Sequence, residues 1–285
     1  MSQTDVDFSD SAVLIVAHGS PHSAGGTSTT RRLAQQLANV EIFGEVSAGF
    51  LAEKPFVADV LKDIDASTIY IVPNLATTGY IFEEKLPKAL GLTGLVTERI
   101  SPKGLQHLVL TEPVGTHPLL VKIMTSMVQS ALADFDIDVN DDVNDVALVV
   151  VGHGSTKSRA SFLQTLHVAA EMGIYGLPDL TGRKAIFTAF LDEPPFIQDW
   201  RDLTTAKTVI FLPFLISDGY HATRDVPLAI GFDPGDADFQ ANLKQDKANK
   251  VHLNGQDLIY LPPAGSAKDI AEIIFSRVQQ AQERL

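Results

Sequence analysis

The chain has 285 residues, of which 45% are hydrophobic and 20% charged, with no cysteine and a formal charge of −13. That length suits two domains of ordinary size. The missing thiols exclude disulfides, thiolate catalysis and cysteine-held zinc or iron–sulfur clusters, and the acidic balance argues against nucleic acid as a partner. No apolar run approaches the roughly 20 residues of a membrane span. The polar, acidic start "MSQTDVDFSDSA" lacks the basic and apolar parts of a secretory signal, so a cytoplasmic protein with no membrane partner is expected.

In chain order, "AVLIVA" reads as a buried strand and "STTRRLAQQLANV" as the helix after it. Strand-like "VSAGFL", helix-like "KPFVADVLKDI", the strand "TIYIVP", a short helical "EEKLPKAL", the strand "HLVLT" and the helix "PLLVKIMTSMVQSAL" follow. The Asp/Asn-rich "ADFDIDVNDDVNDV", 133–146, reads as a solvated linker. Beyond it the strands are "VALVVV", "KAIFTAF", "KTVIFLP" and "DLIYLP". Helical "SRASFLQTLHVAAEMG" and "EPPFIQDWRDLTT" lie between them, and "AKDIAEIIFSRVQQAQERL" closes the chain. Uniformly apolar strands alternating with helices predict α/β units with parallel sheets covered on both faces.

The second half repeats the first. His18-Gly19-Ser20 recurs as His153-Gly154-Ser155, and "AGFLAEKPF" as "TAFLDEPPF", which sets Glu53 opposite Glu193. "TTGYIFEEKLPKALG" recurs as "SDGYHATRDVPLAIG", and "EPVG" as "PPAG". Collinear matches with small changes of offset indicate duplication. The expected organisation is an N-terminal lobe 1–133 with a degenerate site, an acidic linker 134–146 and a C-terminal lobe 147–285 with the working site.

Ligands of a parallel α/β sheet bind outside the carboxyl ends of its strands, where each His-Gly-Ser falls. Within the third match the second half reads Gly219-Tyr220-His221 and the first Gly79-Tyr80-Ile81. Only the second half therefore combines His153, Glu193 and His221, each at a different strand end. Two imidazoles and a carboxylate suit a borderline divalent metal such as Co²⁺, Ni²⁺, Fe²⁺ or Zn²⁺. Such a set could serve a permanent hydrolytic centre or a transferable ion, and the scarcity of other strong ligands nearby favours transfer.

The segments "HGS", "FLDEPP" and "LPFLISDGYHATRDVP" taken together resemble the class II tetrapyrrole chelatases, and among them sirohydrochlorin cobaltochelatases of the CbiX/SirB type. The resemblance covers both halves apart from the linker. It implies two flavodoxin-like lobes flanking a cleft for the macrocycle, and a lyase that inserts a divalent metal into a tetrapyrrole in cobalamin or siroheme-type synthesis. Co²⁺ is the favoured metal substrate, Ni²⁺ and Fe²⁺ are the others, and no organic cofactor is implied. His153 and His221 would bind the metal, with Glu193 as a further ligand or proton acceptor. Ser155, Tyr220, His18 and Ser20 would meet the macrocycle, and the Ser155–Lys157 turn, Arg159 and Arg224 are candidates for its peripheral carboxylates. The chain departs from short family members, which carry both histidines in one half-length subunit and dimerise. The duplicated form is expected to act as a monomer or homodimer.

Other residues admit plainer roles. Tyr80 and Tyr220 recur as a pair, which suits packing. His22 reads as a loop residue, His117 as part of a turn, His107, His167 and His252 as structural or surface groups, and Trp200 as core. Asp192 offers a second acid, but only Glu193 has a counterpart. Competing functions are a non-catalytic metal or tetrapyrrole binding protein or metallochaperone, a permanent-metal hydrolase, and a histidine phosphatase. The last lacks the Arg it needs before its His, because Ala17 and Gly152 stand there.

Overall fold

The computed structural model describes residues 7–20, 27–102, 104–138, 145–177 and 186–285. His22, residues 139–144 of the acidic linker and the first two residues of "KAIFTAF" lie outside them. The first repeat contributes strands β1 (Ser11–Ala17), β2 (Glu45–Phe50), β3 (Thr68–Pro73), β4 (Val96–Ser101) and β5 (Gly104–Leu110). Its helices are α1 (Ser28–Ala38), α2 (Val57–Asp63), α3 (Leu86–Leu90) and α4 (Pro118–Asp134). The second contributes β6 (Val146–Gly152), β7 (Ile186–Phe190), β8 (Thr208–Pro213), β9 (Asn249–Leu253) and β10 (Gln256–Tyr260), with α5 (Ala160–Glu171), α6 (Val226–Ile230), α7 (Ala237–Lys244) and α8 (Ile270–Gln282).

The strands form two five-stranded sheets of matching order, β2-β1-β3-β5-β4 and β7-β6-β8-β10-β9. Four strands of each run parallel, and the outermost, β4 or β9, is antiparallel to its neighbour. The all-parallel expectation is corrected at these edges. "VTERIS" and "NKVHL" mix charge with apolar residues, so neither reads as a buried strand. The β9–β10 hairpin does have a local signal, Asn254-Gly255, with both residues at positive φ (53° and 79°), the usual chemistry of a two-residue turn. The central strands are buried throughout, Val13–Val16 and Val146–Val151 at 0% exposure. A strand covered on both faces needs such continuous apolarity.

The compact units do not follow the repeat boundary. One comprises Met1–His117 with Asp269–Leu285, the other Pro118–Lys268. Helix α4, read from sequence as the end of the N-terminal lobe, packs on β8 in the second unit. Helix α8 packs on α1, β3 and β5 in the first. It buries Ile270, Ile273, Ile274, Val278 and Ala281 there. Polar ties fix its register: Arg277 Nη2 donates to Pro113 O (3.1 Å) and Thr116 Oγ1 (2.8 Å), Arg284 Nη1 to Leu110 O (2.6 Å), and Tyr70 Oη to Gln282.

His117 closes the turn after β5, as its place in "GTHP" suggests, and is buried at 6% exposure. Its Nε2 accepts from Gln280 Nε2 (3.3 Å) and lies 2.9 Å from Ser276 Oγ. Because an amide NH₂ only donates, that ring nitrogen carries no proton. Burial, and then the Arg277 guanidinium, push the imidazole pKa down to about 4 from 6.5. The unfolded chain thus binds a proton that the folded chain refuses between those values. The stability His117 contributes is full above pH 6.5 and is lost as pH falls toward 4, by about 1.4 kcal/mol per pH unit at most. Urea midpoints measured between pH 7.5 and 4.5 should fall more steeply for wild type than for His117→Asn. Parallel slopes would show that the group is not held neutral.

Candidate active site

Both His-Gly-Ser turns have the same frame. The glycines have φ of +74° (Gly19) and +77° (Gly154), and a Cβ there would come within 2.8 Å of Glu53 Cγ and 3.0 Å of Glu193 Cγ. The turn thus demands glycine twice over, for its φ and for the close approach of the acid. Glu53 Oε2 accepts from the Ser20 amide at 2.8 Å, and Glu193 Oε1 from the Ser155 amide at 2.9 Å. His18 Nδ1 donates to Gly19 O (2.8 Å) and His153 Nδ1 to Gly154 O (3.0 Å). The backbone of each histidine is tied to the segment after the neighbouring strand, through Ala52 N to His18 O (2.8 Å) and Asp192 N to His153 O (3.0 Å). This frame is intact in both repeats.

The differences lie around it. His221 opens a π-helical turn, His221–Asp225, as Ile81 opens the turn Ile81–Lys85 in the first repeat. Such turns recur at functional sites because they re-aim side chains. Gly219 O anchors the turn, accepting from Ala222 N and Thr223 N at 3.0 Å each. The buried Tyr260 Oη donates to Ala222 O at 2.6 Å. His221 thereby stands edge-to-face with His153, ring centroids 4.7 Å apart and planes at 89°. Its Nδ1 donates to Asp225 Oδ2 at 2.8 Å, and Asp192 Oδ2 lies 3.4 Å from His153 Nδ1.

Both histidines therefore spend Nδ1 on oxygen acceptors, and neither Nε2 has a hydrogen-bond partner among the described residues. Oxygen acceptors at Nδ1 fix the tautomer that leaves Nε2 as a free, basic lone pair. In the first repeat the positions of Asp192, His221 and Asp225 are held by Ala52, Ile81 and Lys85. The imidazole pair and both supporting acids are thus missing together.

Of the residues singled out in the sequence, the structure brings His153 and His221 together. The Glu193 carboxylate is engaged with the Ser155 amide instead, and no group of three or more His, Asp or Glu side chains forms a metal site among the described residues. His18 and Ser20 form the corresponding turn in the other unit. Tyr220 is 45% exposed beside Arg224, whose guanidinium lies 5.4 Å from its ring centroid. Arg159 stacks on Phe162 at 4.6 Å. Sequence reasoning missed Asp225, although it lies in the quoted "DGYHATRDVP" at four residues from His221, a spacing that brings side chains together on a helical turn. Among the remaining histidines, His107 and His252 pair with Glu98 (3.8 Å) and Asp257 (2.7 Å), and His167 is exposed on α5. Trp200 is fully buried.

Comparison with known proteins gives one family. The CbiX family profile matches residues 12–131 and 147–281, so it covers both repeats. A relative in Halobacterium salinarum, named a probable sirohydrochlorin cobaltochelatase, is 24% identical over 286 residues, covering 95% of this chain and 91% of that one. Among solved structures, CbiX, described as the terminal enzyme for siroheme biosynthesis in denitrifying bacteria, superposes with a TM-score of 0.64 at 26% identity. That match covers 95% of this chain and 99% of the other. A multi-domain Deinococcus radiodurans protein, described as structurally similar to chelatases with two additional novel domains, gives a TM-score of 0.63 at 20% identity. The match covers 94% of this chain, which spans 54% of the length of that protein.

Proposed function

Because the chain belongs to the CbiX family, and does so through both repeats, we propose that it inserts a divalent metal ion into a sirohydrochlorin-type tetrapyrrole. The observation that carries this reading is the His153–His221 pair, 4.7 Å between ring centroids, with both Nδ1 atoms spent on oxygen acceptors. The pair is built in the second repeat alone. Two Nε2 donors hold the incoming ion without filling its coordination shell, and open positions let an incoming group take a ligand's place. The ring nitrogens are that group. Each insertion exchanges one M²⁺ for two pyrrole N–H protons. His153 and His221 present the metal, and Glu193, in exchange for its bond to the Ser155 amide, serves as third ligand or proton acceptor. Ser155 and Tyr220 border the macrocycle, and His18 and Ser20 are the matching but unpaired positions of the first repeat.

The relatives, named for cobalt insertion and for siroheme synthesis, divide on the metal. Co²⁺ is the first candidate because the Halobacterium salinarum relative is named for cobalt insertion; imidazole ligands by themselves suit Co²⁺, Ni²⁺ and Fe²⁺ alike. The test is an absorbance assay of sirohydrochlorin with each ion in turn. Insertion above the protein-free rate with at least one metal is expected. Stoichiometric metal binding without turnover for all three would overturn the chelatase reading in favour of a metallochaperone.

A further inference from the structure

Beside the His221 turn lies an open cavity of about 440 Å³, lined by Tyr220, Thr223, Arg224, Leu228, Pro234 and Gln240 among others. The Arg224 guanidinium makes no hydrogen bond or ion pair among the described residues, and its one aromatic contact is the Tyr220 ring. An unpaired cation is notable in a chain of formal charge −13. The surrounding surface is apolar and open, with Leu228 at 60% exposure and Tyr220 at 45%. Gln240 braces the wall, its Nε2 donating to Pro234 O (2.9 Å) and Thr223 O (3.3 Å). An apolar shelf ending in a free guanidinium fits a ligand edge that is itself apolar and ends in a carboxylate.

The repeat supplies a control within the molecule. At the positions of Thr223, Arg224 and Leu228 the first half has Glu83, Glu84 and Lys88. At the position of Arg224 itself the first repeat has an acid, Glu84, and the cation beside its tyrosine is Lys85, 5.6 Å from the Tyr80 ring centroid. The residue four places after the tyrosine thus changes from acid to cation between the repeats, in the same turn in which the second imidazole is absent or present.

We infer that the Tyr220–Arg224 cavity is a subsite for a carboxylate side arm of the macrocycle, seating the ring so that its centre faces His153 and His221. This rests on the tetrapyrrole reading above, but a binding measurement that needs no metal tests it separately. Uroporphyrin, a metal-free octacarboxylate, is the probe, followed by the quenching of its own fluorescence. Arg224→Gln should weaken its binding about 5- to 10-fold, as expected for loss of a charge-assisted contact at a partly exposed site. Arg224→Lys should recover most of it. In turnover with sirohydrochlorin the same loss should fall on KM, with kcat nearly unchanged. Lys207→Gln removes the same charge at the far end of β8 and should bind like wild type.

Equal affinities for wild type and Arg224→Gln, or an equal loss in Lys207→Gln, would overturn the subsite. So would failure of the wild type to bind uroporphyrin at all. Arg224-dependent binding in a protein that inserts no metal would leave the subsite standing and remove the chelatase reading alone.

Discussion

His221→Ala is expected to lower metal insertion by about 10²-fold or more, because it removes one of the two imidazoles that present the metal, a greater loss than that of a group which only supports a ligand. His18→Ala should leave the rate close to wild type. His18 is the counterpart of His153, yet only His153 stands against a second imidazole, that of His221, at 4.7 Å. His18 has Ile81 where that partner would be. Because His221 is half-exposed, its truncation should not perturb folding, and an unchanged thermal midpoint would show that the lost rate reflects chemistry. Asp225→Asn should fall between, losing about 10- to 100-fold, since the acid acts by orienting the His221 ring. Initial rates with sirohydrochlorin and Co²⁺ provide the measurement. Equal losses in His18→Ala and His221→Ala would give the first repeat a working share of the site and end the one-site reading.

Gly265→Ala is expected to cost the second unit about 2–3 kcal/mol, the upper part of the range for overpacking a tight interior. A Cβ there would lie 2.2 Å from Ile216 O and 2.4 Å from its carbonyl carbon. The backbone cannot retreat without losing the bond from Gly265 N to Leu215 O at 3.0 Å. Gly115 stands in the matching position, with a Cβ 2.3 Å from Ala76 O, and the same substitution should destabilise the first unit comparably. Gly94, whose Cβ would meet nothing nearer than Val96 O at 3.8 Å, should accept alanine within about 0.5 kcal/mol. Trp200 is the chain's one tryptophan and lies in a core cluster with Leu215 and Tyr260. Its fluorescence therefore follows the second unit, and the urea midpoint it reports should fall for Gly265→Ala. An unchanged midpoint would mean that the Ile216 segment yields at no cost.

Much of the site could be read from the chain because the duplication supplies its own comparison. Setting "GYI" against "GYH" isolates His221 without any second protein. The supporting acids were harder to see. Asp192 has Ala52 opposite it and Asp225 has Lys85, so neither recurs, and their value lies in a distance to an imidazole that sequence spacing only suggests. Glu193 illustrates the reverse. Its recurrence as Glu53 made it the favoured acid, and the structure finds both glutamates accepting a serine amide at 2.8–2.9 Å. A residue kept in both repeats is tied to what both repeats share, the turn itself. Glu193→Gln separates the two roles, since a neutral amide oxygen can still accept from Ser155 but binds a cation poorly.

By itself the sequence determined the duplicated α/β units, the buried central strands and the placing of two histidines just beyond strand ends. These follow from local periodicity: a strand covered on both faces must be apolar at every position, and a sharp turn beside a packed acid must have glycine. Tertiary structure alone decided which sheet each terminal helix covers. The apolar stripe of α8 records that the helix is buried, but hydrophobic burial is non-directional and names no partner. Directional contacts made the choice, from Arg277, Gln282 and Arg284 to groups over 160 residues away along the chain. The same holds at the site, where the chain supplied the imidazoles and only folding left Nε2 as their free nitrogen.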